Sequence, residues 1–82
     1  MLDTKAIEVC RALFELNEVY KRPRFVFTSK DARSEAVRED CTFVGTFSRD
    51  DWSVVDTIKR LLEQGSYVLA IAEGQDVSVY RC

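Results

Sequence analysis

Residues 42–72, TFVGTFSRDDWSVVDTIKRLLEQGSYVLAIA, contain a predicted strand, a helix and a second strand in succession. Apolar residues alternate or run together at both ends, which is typical of strands. Between the strands, one apolar stripe recurs at helical spacing: Val54, Val55, Ile58, Leu61 and Leu62. Ser48 with Asp51 three residues later indicates the start of the helix, and Gly65 its end. The pattern predicts a helix over 49–64.

The two strands of this unit differ in their expected burial. In Thr42–Phe47, alternation places Phe43, Gly45 and Phe47 on one face, and Gly45 inside a strand indicates a bulge or a close backbone approach. Tyr67–Ala72 is apolar on both faces, as expected of a strand covered on both sides. We therefore expect the second strand to be central in its sheet.

The rest of the chain supplies two more helices and two more strands. A helix is predicted over 4–20, where apolar residues cover nearly half the circumference and imply burial against a sheet. Pro23 ends this helix, and FVF within 25–28 predicts a short strand. A weakly amphipathic helix is expected over 29–40. Alternating residues in 77–82 predict an edge strand with one buried face.

The predicted fold is a single α+β domain over residues 1–82, in the order α-β-α-β-α-β-β. A four-stranded mixed sheet is packed by helices 4–20 and 49–64, and the chain ends in a β-hairpin. The pairing of strands 25–28 and 42–47 stays open. They pair in parallel if the helix between them crosses over, and antiparallel if that helix is too short.

Composition indicates a soluble intracellular chain. Hydrophobic residues make up 46% of the 82 residues, and no apolar run approaches the roughly 20 residues that span a bilayer. The N-terminal residues do not resemble a signal peptide. Three widely spaced cysteines without a CxxC motif predict free thiols in a reducing compartment. We therefore expect a cytoplasmic protein that is not inserted in a membrane.

The sequence offers little material for catalysis. It contains no histidine, which removes the commonest general base and a frequent metal ligand. Three glycines without a GxGxxG or GxxxxGK motif leave no phosphate-binding loop. We predict a protein that is not an enzyme and that has no metal or cofactor. The chemical alternative is a thiol-dependent activity through Cys41 or Cys82.

Basic residues are concentrated in one segment of the chain. Residues 21–38 hold six basic and two acidic side chains, whereas residues 39–82 hold four basic and eight acidic ones. The cations of this segment that could contact phosphates are Lys21, Arg22, Arg24, Lys30 and Arg33. Nucleic-acid binding is therefore an alternative function, although a pI of about 5.1 argues against it.

Protein binding is the leading functional prediction. On a helix over 49–64, Trp52 falls beside Asp56 and Lys59, away from the apolar stripe. Tryptophan is enriched in binding hot spots, so these three residues form a predicted contact patch. The alternative is that Trp52 folds over a neighbouring loop or strand end.

A second predicted patch consists of Arg22, Arg24 and Arg33, which suit a partner with an acidic surface. A homodimer through strand 77–82 or helix 4–20 is a further prediction. We thus expect a small inhibitor, adaptor or accessory protein, and small size without catalytic groups also fits the compact inhibitors of phages and mobile elements.

Overall fold

The computed structural model describes residues 4–31 and 39–82, and these residues form two helices and a four-stranded mixed sheet, as predicted. The elements are α1 (Thr4–Val19), β1 (Phe25–Ser29), β2 (Thr42–Ser48), α2 (Ser53–Glu63), β3 (Val68–Glu73) and β4 (Asp76–Arg81). The helix predicted over 29–40 falls mostly outside the described residues. In the described part of the chain, neither helix is long and apolar enough to cross a membrane.

The strand order is β1-β3-β4-β2. β1 is parallel to β3, whereas β4 is antiparallel to both β3 and β2. The predicted pairing of strands 25–28 and 42–47 does not occur, because they form opposite edges of the sheet. The prediction of an edge strand at 77–82 is also wrong. β4 forms a hairpin with β3 on one side and pairs with β2 on the other.

The main core lies on one face of the sheet, where both helices pack. Val9 and Leu13 of α1 and Ile58 of α2 are almost completely buried against strand residues such as Phe25. β3 is buried on both faces, as predicted. Its residues at positions 68 and 70 join the main core, and those at 69 and 71 form a second cluster with Tyr80.

A β-bulge divides β2 into two halves. The register shifts between Phe43, which pairs with Tyr80, and Gly45, which pairs with Val79. Tyr80 belongs to the second cluster, so its pairing partner Phe43 lies on that face of the sheet. Val79 belongs to the main core, and Phe47 packs against this core on the opposite face. The bulge at Gly45 is confirmed, but the shared face predicted for Phe43 and Phe47 is wrong, because an inserted residue reverses the alternation.

The C-terminus of α2 is capped at Gly65, as predicted from the sequence. Gly65 has a φ of +88°, in the left-handed region that glycine adopts readily. Its N–H donates to the Leu62 carbonyl at 3.1 Å, and the Ser66 N–H donates to the Leu61 carbonyl at 3.0 Å. This is a Schellman motif, and it turns the chain directly into β3.

Candidate interaction surfaces

Trp52 lies at the junction between the turn after β2 and the first residue of α2. The helix begins at Ser53, four residues later than predicted, so Trp52 is the N-cap residue. Its carbonyl accepts hydrogen bonds from the N–H groups of Val55 at 3.0 Å and Asp56 at 3.2 Å. The backbone of Trp52 is therefore fixed by the helix, while 41% of its surface remains exposed.

Asp51 accepts a hydrogen bond from a main-chain N–H group at the start of α2. Its carboxylate accepts a hydrogen bond from the Ser53 N–H at 2.9 Å. The bonds from Ser53 lower the pKa of Asp51 below its ordinary value of 3.8, and the positive charge of Lys5 acts in the same direction. Ser48, the predicted cap, instead donates from its hydroxyl to Asp50 at 2.7 Å.

The three predicted contact residues of α2 share one exposed side. Trp52, Asp56 and Lys59 follow each other at intervals of four and three residues, so they occupy successive turns of one face. All three are exposed, whereas Val54 and Ile58 are completely buried on the other side of the helix. We call Trp52, Asp56 and Lys59 the α2 stripe.

Arg24 has a structural role that the sequence did not indicate. Its Nη2 donates hydrogen bonds to the carbonyls of Leu62 at 2.8 Å and Ser66 at 3.2 Å. Its guanidinium also lies over the rings of Tyr20 and Tyr67, at 5.7 and 5.5 Å from their centroids. Arg24 thus neutralises the negative end of α2 and is not available as a simple surface cation.

The other predicted basic residues have different environments. Lys21 and Arg22 are exposed. Lys30 pairs with Glu73 at 3.0 Å across the ends of β1 and β3. Arg33 lies outside the described residues. Of the predicted arginine patch, only Arg22 can therefore be placed as an exposed cation in the described chain.

An apolar surface on α1 was missed because the whole stripe of the helix was expected to be buried. Val9 and Leu13 are buried, but Ile7 and Phe14 are 42% and 58% exposed. Cys10 lies between Ile7 and Phe14 on this side and is half-buried. An apolar pattern shows which residues favour burial, but the width of the covering sheet determines how many of them become buried.

The exposed side of α1 continues onto the edge strand β1. The rings of Phe14 and Phe27 lie 5.4 Å apart. Next to them is a shallow hollow of about 110 Å³, lined by Phe14, Phe27, Thr28, Ser29 and Ala72. We call Ile7, Cys10, Phe14 and Phe27 the α1–β1 surface.

Cys41 and Cys82 form a disulfide bond, so the prediction of free thiols is wrong for these two residues. They extend the ladder of β2 and β4 beyond the pair Thr42 and Arg81. Antiparallel pairing therefore brings together two cysteines separated by 41 positions in the sequence. Cys10 is a free thiol. A thiol activity of Cys41 or Cys82 would first require reduction of the bond.

Within residues 4–31 and 39–82, no three cysteine, aspartate or glutamate side chains are grouped so that they could hold a metal ion. In comparisons with known proteins, the chain matches no family model, no curated protein and no solved structure.

Proposed function

We propose that this protein is a small protein-binding module that acts without catalysis, as an inhibitor, adaptor or accessory protein. The observation that supports this proposal is the 41% exposure of Trp52 on the α2 stripe. A tryptophan held at a fixed helix end loses little conformational freedom when a partner covers it. One form that we propose for this module is a compact inhibitor of the type found on phages and mobile elements.

The flanking charges of the α2 stripe suit a specific contact. Asp56 and Lys59 are exposed on the two turns that follow Trp52. Opposite charges beside an aromatic anchor favour a partner with a complementary charge pattern and orient it during association. We infer that Trp52 supplies most of the affinity, and that Asp56 and Lys59 supply selectivity.

We propose only part of the predicted arginine patch as a contact surface. Arg22 remains a candidate contact for an acidic partner, while Arg24 positions the end of α2. The engagement of Arg24 and Lys30 weakens the case for nucleic acid, since both were among the proposed phosphate contacts. On immobilised heparin at low salt, a protein-binding module should elute early, and Arg22→Glu should not shift its elution.

A cytoplasmic location remains part of the proposal, and the disulfide supplies its test. Cytosolic reductants keep most protein thiols reduced. In intact host cells, rapid alkylation should therefore find Cys41 and Cys82 as thiols if the protein is cytoplasmic. A bulk population with the intact disulfide would instead indicate an oxidising compartment.

The test of function is capture of a partner by immobilised protein from native host lysate, compared with a Trp52→Ala variant. Binding through the α2 stripe requires that the same partner be retained by the wild type and lost by the variant. The melting temperature of the variant must stay close to that of the wild type. A large loss of stability would identify Trp52 as a packing residue.

A further inference from the structure

One edge of the sheet presents backbone groups on β1. The Val68 N–H donates to the Arg24 carbonyl at 2.8 Å, and the Lys30 N–H donates to the Ala72 carbonyl at 3.0 Å. In a parallel ladder, alternate residues of a strand bond to the neighbouring strand. The even-numbered residues of β1 therefore face β3, and the odd-numbered residues direct their N–H and C=O groups towards the open edge.

Within the described part of the chain, two of the three outward residues are available for pairing. The Phe25 N–H donates to the Tyr20 carbonyl at 3.2 Å, and the Phe25 carbonyl accepts from the Asn17 side chain at 2.7 Å. Phe27 and Ser29 have no comparable main-chain partner on this edge among residues 4–31 and 39–82. Such an edge is a template for another strand.

We propose that a second copy of this chain pairs with β1 in the antiparallel sense, forming a two-fold symmetric dimer with one continuous eight-stranded sheet. Phe27 of each copy lies opposite Ser29 of the other, and each pair exchanges two N–H···O bonds. The axis passes beside Thr28. The Thr28 hydroxyl lies 3.5 Å from the Ser29 carbonyl, too far to compete with a main-chain donor.

The same axis brings the apolar side of α1 towards its symmetry mate. Phe14 contacts Phe27 and Asn17 contacts Phe25, so α1 runs antiparallel to β1. The two-fold axis makes the two β1 strands antiparallel, so the two α1 helices are antiparallel as well. Phe14 then lies towards its equivalent, the exposed Ile7 lies towards the second half of the partner's α1, and the dimer removes apolar surface from water.

The charges of α1 complement each other in this arrangement. On the side that carries Ile7 and Phe14, the first half holds the cation Arg11. The second half holds the anion Glu18, four residues after Phe14. Antiparallel helices place the positive half of one copy beside the negative half of the other. This complementarity, together with the matching backbone groups, favours a second copy of the chain as the occupant.

Sedimentation equilibrium of the purified protein tests the proposal. The wild type should show a concentration-dependent monomer–dimer equilibrium that weakens with salt. Ser29→Pro removes an outward donor and leaves the bonds to β3 in place, so dimer affinity should fall at least roughly tenfold. Phe14→Lys should have a similar effect. The matched control is Val19→Lys, which changes a residue 74% exposed on another side of α1 and should leave the dimer unchanged.

A wild-type protein that stays monomeric up to millimolar concentration would overturn the proposal, as would a dimer that is indifferent to both substitutions. Phe14→Lys alone decides the question if Ser29→Pro does not fold, because residue 14 lies outside the strand. Amide exchange provides a direct readout. The Phe27 and Ser29 N–H groups should become protected as concentration rises, and their continued rapid exchange in the dimer would place the interface elsewhere. A non-reducing gel must show that the dimer is not linked through Cys10.

Discussion

The Arg24 side chain donates a 2.8 Å hydrogen bond to the main-chain carbonyl of Leu62, and this contact joins the loop before β1 to the last turn of α2. The Ser66 carbonyl accepts from the same guanidinium, which lies over the rings of Tyr20 and Tyr67. The planar group with several donors suits this position because it can bind two carbonyls while it stacks on aromatic rings.

Replacing Arg24 should therefore destabilise the protein even though this residue resembles a surface cation in the sequence. Arg24→Met keeps a flexible stem but removes the donors, and should lower the free energy of unfolding by roughly 1.5–3 kcal/mol in urea titration. The control Arg22→Met changes an exposed neighbour and should stay within about 0.5 kcal/mol of the wild type. Equal effects of the two substitutions would contradict the capping role.

Truncation of two adjacent residues of α1 should destabilise the protein to very different extents. Leu13 is 1% exposed in the main core, whereas Phe14 is 58% exposed. Leu13→Ala should lower the free energy of unfolding by about 2–5 kcal/mol, because it leaves a cavity. Phe14→Ala should lower it by less than about 1.5 kcal/mol at concentrations where the protein is monomeric. Urea titration of both variants checks this, and a larger loss for Phe14→Ala would mean that α1 is rotated relative to the sheet.

Loss of the disulfide should weaken the fold considerably. The bond closes a loop with a sequence separation of 41, so its removal should lower the free energy of unfolding by up to about 4 kcal/mol. The measurement compares urea unfolding of the wild type with the double variant Cys41→Ser and Cys82→Ser. The control Cys10→Ser removes the free thiol and should keep the sensitivity to reductant. Unchanged unfolding after reduction would show that the bond does not stabilise the fold.

The stability contributed by Asp51 should depend on pH. Folding lowers the pKa of Asp51 below 3.8, so its contribution is complete above that value and is lost as the pH falls through the folded-state pKa. The difference in unfolding free energy between the wild type and Asp51→Asn should therefore be constant near neutral pH and shrink in acid. The control is Glu63→Gln, at the other end of α2. This variant keeps Asp51, so its free energy of unfolding should fall in acid as that of the wild type does. A difference that stays constant down to about pH 2 would contradict a stabilising role of ionised Asp51.

The sequence predicted those parts of the fold that depend on local chemistry. The stripe that includes Ile58 identifies the buried side of α2, and Gly65 marks its end. The bulge at Gly45 and the two buried faces of β3 also follow from side-chain pattern. In each case, the residues within one element suffice for the prediction.

The errors concern relationships between distant elements. Alternating burial in β4 is compatible with an edge or an interior position, and only its pairing with both β3 and β2 decides between them. The disulfide likewise depends on that pairing, which brings Cys41 to Cys82. The role of Arg24 depends on where α2 ends in space. The exposed position of Phe14 depends on how far the sheet extends beneath α1.

The most direct measurement of the proposed function is quantitative mass spectrometry of proteins retained from host lysate by wild type, Trp52→Ala and Phe43→Ala. Phe43 is a suitable control because it is an aromatic residue 56% exposed outside the α2 stripe. A hot-spot tryptophan contributes at least about 2 kcal/mol, so Trp52→Ala should weaken the partner's affinity roughly thirtyfold. We predict a partner that is retained by the wild type and by Phe43→Ala but depleted with a folded Trp52→Ala. Equal retention by all three proteins would contradict it.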